Sequence, residues 1–394
     1  FHSLSLEGST KTMILVNGLP RNAGFLEQLD ASKIDRIEVM PNGGMRYGTE
    51  VTGVINVVLR EEKQVGLSGH LHANVPTRSD EVFSFPSASL QVSRKNTTLY
   101  TSYNGGFSYF NIEGENKILA NKSDAKMEIR HFSKLYQENW SHKLHFGADH
   151  FSNEKSHLSL YGFASLFSNE QDGHYEISEH RGTSLPALTT MEKNDTDRNR
   201  SAYGSLYYKH RFHSDNELIV EGSYYRLRSD KGVALTVPDN TPPVVSSSAP
   251  GVDEGELRLL FHSRLSETAR METGIQQQLH IMHDNLSQGF NYTEQASSAY
   301  ILGAFSPDRL RLNGGFRLEY SHIKFSNVSD WSPWFLLPRL TFQYLFKNEQ
   351  RLKISYNKQI ARPTIHQLNP NPVTPNHYTL QQGNPRLVPE ITRE

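Results

Sequence analysis

The feature that most constrains this chain is the side-chain alternation beyond Val65, sharpest at Leu310–Tyr320. Leu310, Leu312, Gly314, Phe316, Leu318 and Tyr320 fall on one face of an extended strand, and Arg311, Asn313, Gly315, Arg317 and Glu319 on the other. Arg339–Phe346 and Arg351–Ile360 repeat the pattern. One such strand would suit a sheet over a soluble core equally well, so the connections must discriminate. Short polar turns fall near Ser93–Thr97, Ser152–Ser156, His213–Asn216, Ser266–Ala269, Ser306–Arg309 and Lys347–Gln350. Between them lie longer loops, at Asn111–Glu138, Gln171–Arg200, Lys231–Glu254, Asn285–Tyr292, Ser326–Pro333 and Pro363–Pro389. Only the first connection, around Pro76–Asp80, is short where the scheme asks for a long one. Transmembrane β-barrels sort their loops in this way, with short periplasmic turns and long outer loops. The pattern predicts about thirteen strands of roughly 10 to 15 residues, with a fourteenth beginning near Glu390. Soluble strands are shorter, about 5 to 6 residues.

Composition removes several alternatives. A net charge of −1 over 394 residues leaves no electrostatic footprint for nucleic acid. Mean hydropathy is −0.59, and no run approaches the ~18 apolar residues of a membrane helix. A strand-built span is untouched by that test, because only every second side chain meets lipid. Cysteine is absent, which excludes disulfide scaffolds, thiol catalysis and Cys-ligated metal. Eighteen histidines raise the question of metal, with His70 and His72 on one strand face and His142, His145, His150 and His157 close in sequence. No third ligand has convincing spacing, and hydrophilic lumen faces collect histidine like any polar residue, so no metal or cofactor is assigned. No GxSxG, HExxH or phosphate-binding loop occurs, and the chain is not read as an enzyme.

The N-terminal part reads differently. Met13–Val16 is a short apolar strand, Asn17-Gly18 a turn and Phe25–Leu29 one helical turn. Ile34–Arg60 then reads as strand, glycine-rich turn, strand, with Ile37 and Val39 alternating against Arg36 and Glu38. Gly53–Leu59 is nearly continuously apolar, as in a strand covered on both faces. In wording this stretch resembles the end of the plug domain of TonB-dependent outer-membrane receptors. The matching residues are Arg36 and Glu38 in the first strand, Gly43, Gly44, Tyr47 and Gly48 in the turn, and Gly53 and Asn56 in the second. Many plugs of that family carry a basic residue with Gly-Pro after the first strand, pairing with barrel carboxylates. Pro41-Asn42-Gly43 stands there instead, and Arg36 and Arg46 are the candidate substitutes.

A second anchor lies near the C-terminus. Ser355–Glu390 resembles the signature strand and loop of Bacteroidetes-type outer-membrane β-barrel receptors, through Arg362, Pro363, Asn369, Pro370, Gly383, Asn384, Pro385, Pro389 and Glu390. Its prolines stop a continuing ladder and stiffen a loop, so the segment is read as structural before ligand-contacting. The resemblance implies a mostly β fold: an antiparallel transmembrane β-barrel preceded by the end of an α+β plug. The expected division is residues 1–60 for the plug part and 61–394 for the barrel. Such receptors have about 22 strands around a plugged lumen, so the expectation is a fragment with two unpaired barrel edges. Lumen-facing Arg311, Arg317 and Glu319 should oppose lipid-facing Leu312, Phe316 and Leu318. The resemblance places the protein in the outer membrane of a Gram-negative bacterium, with lipid, the TonB complex, a nutrient ligand and a surface lipoprotein as the partners it implies. It implies capture of that nutrient at the cell surface and delivery to the periplasm. The rivals are a structural or adhesive barrel without transport and a soluble secreted β-rich binding protein.

Overall fold

The structure is a computed structural model, and it describes residues 12–21, 26, 34–41, 44–47, 51, 53–59, 65–74, 76, 81–122, 125–181, 185–212, 216–236, 244–284, 289–325, 328–347, 349–370, 373–376 and 379–393. Four strands form a small sheet of their own: β1 (Thr12–Val16), β2 (Leu19–Arg21), β3 (Ile34–Pro41) and β4 (Gly53–Leu59), in the order β2-β1-β4-β3. Asn17 and Gly18 both take positive φ, 51° and 79°, as the two-residue turn between antiparallel β1 and β2 requires. β4 runs parallel to β1 and antiparallel to β3, which explains its continuous apolar character. One helical turn, α1 (Gly44–Tyr47), stands between β3 and β4. Of the helical turn expected at Phe25–Leu29, only Leu26 lies among the described residues, and it is helical.

The remaining strands close into a barrel. These are β5 (Gly66–His72), β6 (Val82–Ser84), β7 (Ser87–Arg94), β8 (Thr97–Lys122), β9 (Ala125–Asn153), β10 (Ser156–Arg181), β11 (Ala187–Arg211), β12 (Glu217–Thr236), β13 (Val244–Ser248), β14 (Gly251–Arg264), β15 (Ala269–Asp284), β16 (Phe290–Phe305), β17 (Leu310–Phe325), β18 (Val328–Trp331), β19 (Trp334–Leu345), β20 (Arg351–Ala361) and β23 (Glu390–Arg393). Between β20 and β23 lie α2 (Ile365–Leu368) and a small hairpin, β21 (Val373–Asn376) with β22 (Thr379–Gln381). Three pairs of the ring's strands are halves of one passage, interrupted at Phe85-Pro86, Ala249-Pro250 and Ser332-Pro333. Proline has no N–H for the ladder, yet each proline carbonyl still accepts a neighbouring strand's N–H. Gly105 bonds Pro86 at 2.8 Å, Ser229 bonds Pro250 at 2.9 Å and Ser321 bonds Pro333 at 3.1 Å. Counting each interrupted pair once, the seventeen described strands of the ring make fourteen passages.

Two expectations are corrected. The ring is closed rather than open-edged: β23 pairs with β20 over Lys358–Ala361 and neighbours β5. This seam is short, and β5 and Arg351–Tyr356 of β20 are exposed throughout. The long loops at Asn111–Glu138, Gln171–Arg200 and Lys231–Glu254 are largely strand. β8, β9, β10 and β11 run 26, 29, 26 and 25 residues, not 10 to 15. At ~3.3 Å per residue, 26 residues reach roughly 86 Å, far beyond the bilayer core. The hairpins therefore stand up from the membrane as a wall. Its outward face records the boundary: Leu99, Tyr103, Phe107 and Tyr109 on β8 give way to Asn111, Glu113, Glu115 and Lys117. Above that level Glu113 pairs with Lys134 at 3.3 Å and Lys117 with Glu128 at 3.1 Å. The short turns at Ser93–Thr97, Ser152–Ser156, Ser266–Ala269 and Ser306–Arg309 fall where the alternation places them, while parts of His213–Asn216 and Lys347–Gln350 lie outside the described residues.

Candidate functional site

The barrel is polar inside and apolar outside. On β17, Phe316 and Leu318 are 53% and 42% exposed, while Arg317 and Glu319 are each 1% exposed. Period-two geometry alone puts them on opposite faces. Arg311 has the parity of Arg317 but is exposed near the short-turn end of the strand, and Leu312 is half-buried. The face carrying Arg317 is identified as the lumen by the small sheet, which packs against it.

Among the described residues, plug and wall meet at Leu19, Arg21 and the Arg46–Tyr47 pair. Leu19 packs in one cluster with Tyr207, Ile219, Leu260 and Tyr300 of the wall. Arg21 donates to the Tyr100 hydroxyl at 3.1 Å and to Ser159 Oγ at 3.3 Å, and its guanidinium lies 4.4 Å from the Tyr161 ring centroid. Tyr100 can lean inward because its cross-strand partner is Gly147, where a Cβ would come within 2.3 Å of the tyrosine ring. Tyr300 has the same relation to Gly274. The buried Tyr47 ring lies 5.3 Å from the Arg258 guanidinium and 5.1 Å from that of Arg46.

From Arg258 a chain of charges runs round the wall. Glu221, Arg258, Gln276, Ser298 and Glu319 are successive cross-strand partners in one register row. Arg258 Nη1 stands 3.6 Å from Glu221 Oε2, and its Nε makes a charge contact of 2.5 Å with Glu256. Gln276 donates to Glu256 and accepts from Arg317 Nη2 at 2.5 Å. Arg317 Nε donates to Glu319 Oε2 at 3.1 Å. Glu319 also takes Arg362 Nη2, and Arg362 Nε donates to Glu294 at 2.9 Å. Tyr292 completes the chain by donating to Glu294 at 2.7 Å. Buried charges persist only when paired in this way.

Arg362 opens the C-terminal signature loop, and the halves of that motif meet. Gly383 N–H donates to the Asn369 carbonyl at 2.8 Å and Asn384 N–H to that of Gln367 at 2.6 Å. Asn369 reaches the wall, donating to Asp284 at 3.1 Å, and Leu368 is buried with Met282, Phe290, Tyr292 and Ile323. Gln382 donates to the Pro370 carbonyl at 2.8 Å, and Asn384 caps Arg386 N–H at 3.0 Å. Pro363, Pro385 and Pro389 are half-buried, and Glu390 returns the chain to the ladder opposite Ala361. The motif is a clasp between β20 and β23.

The plug motif divides. Asn56 is buried, with its Oδ1 accepting from Gly18 N–H at 2.9 Å and its Nδ2 donating to Glu38 at 2.8 Å. That amide first, and Arg36 second, hold the Glu38 carboxyl below its ordinary range. Arg36 is exposed and spent on Asp35 and Glu38, each at 2.9 Å, bonds that raise its pKa in that order. Its charge is thus spent within β3. Arg46 faces the wall instead: burial works against its charge, but Tyr47, Glu272 and neighbouring wall phenols outweigh that and raise its pKa. Burial also pushes the Tyr47 hydroxyl up. Gly44 begins α1 and Gly53 begins β4, whereas Gly43 and Gly48 lie outside the described residues.

Sequence reasoning missed Arg21, Glu221, Glu256, Arg258, Gln276 and Glu294. The signal existed in Glu256–Phe261, where Glu256 and Arg258 alternate with Leu257 and Leu259 as on β17. The histidine grouping dissolves. His145 is buried, donating or accepting at 2.9 Å with the Tyr161 hydroxyl, while His142 lies on the opposite face against Tyr103 at 2.6 Å. Among the described residues no three His, Cys, Asp or Glu side chains gather to hold a metal.

Fold and site together define a class: an outer-membrane β-barrel whose lumen holds a small sheet. Residues 262–394 match the model of the outer membrane protein beta-barrel family. The chain is similar to the FrpB iron transporter from Neisseria meningitidis (F5-1 variant), with 15% identity, a TM-score of 0.50 and coverage of 90% of this chain and 57% of that one. It is also similar to the alcaligin outer-membrane receptor FauA from Bordetella pertussis, with 13% identity, a TM-score of 0.45 and coverage of 88% and 54%. The chain thus spans between half and three fifths of the length of these two proteins. No curated protein matches the sequence.

Proposed function

We propose that the protein is a TonB-dependent receptor that captures a nutrient at the cell surface and releases it to the periplasm when the plug shifts. Residues 1–60 then belong to the plug and 61–394 to the barrel. The observation that carries the reading is the seating of the small sheet inside the lumen by Arg21, Leu19 and Tyr47, against a wall of compensated charge. A plug held by a few polar contacts can be moved as a unit, whereas a structural or adhesive barrel has no use for one. Arg46 and Arg258 are the positioning residues at the plug seat, and Arg317, Glu319 and Arg362 hold the clasp. The test is growth on nutrient-limited media by cells carrying or lacking the gene, with the TonB complex intact or deleted. A growth advantage that disappears with TonB is expected. An advantage that survives the deletion, or none under any limitation, would contradict the proposal.

A further inference from the structure

The inner face of the upright wall has a composition unlike the rest of the lumen. Its position follows from register. Tyr100 and Tyr161 touch Arg21 of the plug, so even-numbered residues of β8 and odd-numbered residues of β10 face inward, and their partners on β9 and β11 with them. Climbing from the plug, the first inward row contains His145, Phe163 and Tyr203 as cross-strand partners, with Phe163 and Tyr203 stacked at 5.5 Å. The highest rows are apolar, where Leu135, Tyr175, Ile177 and Met191 form a buried cluster. Between these lies a band of amides and hydroxyls.

In that band Asn139 Nδ2 donates to Ser108 Oγ at 3.2 Å, and its Oδ1 accepts from Gln137 Nε2 at 3.2 Å and Asn169 Nδ2 at 2.5 Å. Gln171 Nε2 donates to Gln137 Oε1 at 2.8 Å. A side-chain amide offers two donors and a two-lone-pair acceptor. These bonds therefore fix the orientation of four amides and leave spare valences. Among the described residues, the second N–H of each amide, and the carbonyl oxygens of Asn169 and Gln171, have no partner. All four side chains are half-buried, so those groups meet the lumen. The band lies level with the outward Phe107 and Trp140, at the outer edge of the membrane.

Its charges cancel. Asp197 pairs with Lys231 at 3.3 Å and Asp195 with Lys193 at 2.7 Å, and Lys143 sits 4.2 Å from the Phe163 ring centroid. Oriented amides over aromatic platforms, with no uncompensated carboxylate, suit a ligand that is rich in hydroxyls, carries apolar ring faces and bears no net charge. Anionic chelates need an excess of exposed cations, and among the described residues the band adds only Lys143, half-buried over the Phe163 ring. We propose that the inner face of β8–β11 binds a neutral oligosaccharide, held by Gln137, Asn139, Asn169 and Gln171 and stacked on Phe163 and Tyr203. The inference rests on the receptor reading and supplies its substrate class.

The purified protein in nanodiscs is titrated calorimetrically with malto-, cello-, manno- and xylohexaose and, separately, with a ferric tricatecholate complex. No energised membrane is involved, so this assay can fail while TonB-dependent growth stands, or the reverse. At least one hexasaccharide is expected to bind. The Asn139→Ala/Gln171→Ala variant should weaken it about tenfold or more while heat-modifiability on a gel is unchanged. Should that variant not assemble, Gln171→Glu keeps the shape, places an uncompensated charge in the lattice, and is expected to weaken binding similarly. Failure of all four hexasaccharides to bind at millimolar concentration would overturn the proposal. So would saccharide binding that is indifferent to the variants, or binding of the ferric complex alone.

Discussion

The lumen has two walls built by one rule and used differently. Along β14–β17 and Arg362 it is ionic: Arg258, Arg317, Glu319 and Glu294 are buried and each is held by an opposite charge. Along β8–β11 it is a half-buried amide lattice. Both obey the requirement that lipid see only apolar side chains, so the difference does not come from the membrane. It comes from what stands opposite. The ionic wall is covered by the plug and the clasp, where an unpaired charge is costly. The amide wall rises clear of them, where groups with spare valences remain open to water and ligand. On the proposed reading, rigidity and recognition fall to different sides of one barrel.

Removing a link of the ionic wall should have the largest effect. Arg362→Ala leaves Glu294 and Glu319 without their shared cation and should cost about 3 to 5 kcal/mol. The loss would be read as a lowered temperature of unfolding by heat-modifiability. Adding Glu319→Gln should recover part of it, and a double variant no better than the single would break the link between clasp and wall. A smaller effect is expected at the plug seat. Gly147→Ala puts a Cβ against the Tyr100 ring, and overpacking of this kind costs about 1 to 3 kcal/mol. Faster proteolysis of the plug, with the barrel still heat-modifiable, would show that Tyr100 holds Arg21. On the amide wall Asn139→Ala should cost only about 1 kcal/mol, because its bonds are half-solvated. A loss as large as that of Arg362→Ala would erase the contrast between the walls.

The smallest effect belongs to Glu38. Its folded pKa is depressed, so its contribution is present above the ordinary carboxylate value near 4.3 and is lost as pH falls through the lowered folded value. Thermal melts of the parent and Glu38→Gln should differ slightly at pH 6 and converge by pH 3. A gap that widens on acidification would reverse the assignment.

Much of this was legible in the residues. The four fully described short turns, the plug strands and the opposed faces of Phe316–Glu319 follow from period-two patterning and turn chemistry. The upright hairpins were hidden because beyond Tyr109 the outward face of β8 turns polar, through Asn111, Glu113, Glu115 and Lys117, which reads as loop. Register alone shows Glu113 opposite Lys134. The ionic chain was hidden for another reason. Glu221, Arg258, Gln276 and Glu319 lie far apart in sequence and meet only in a cross-strand row. Arg46 outranks Arg36 because α1, not β3, carries its side chain to the wall.

The most direct test of the inside-out arrangement uses the absence of native cysteine. Single variants Leu318→Cys and Asn313→Cys are labelled with the same fluorophore and reconstituted with brominated lipid. Leu318 projects from the outer face and Asn313 has the parity of Arg317. Strong quenching at position 318 and little at position 313 is the expected result. Quenching at 313 with none at 318 would place the charged face against lipid and contradict the barrel.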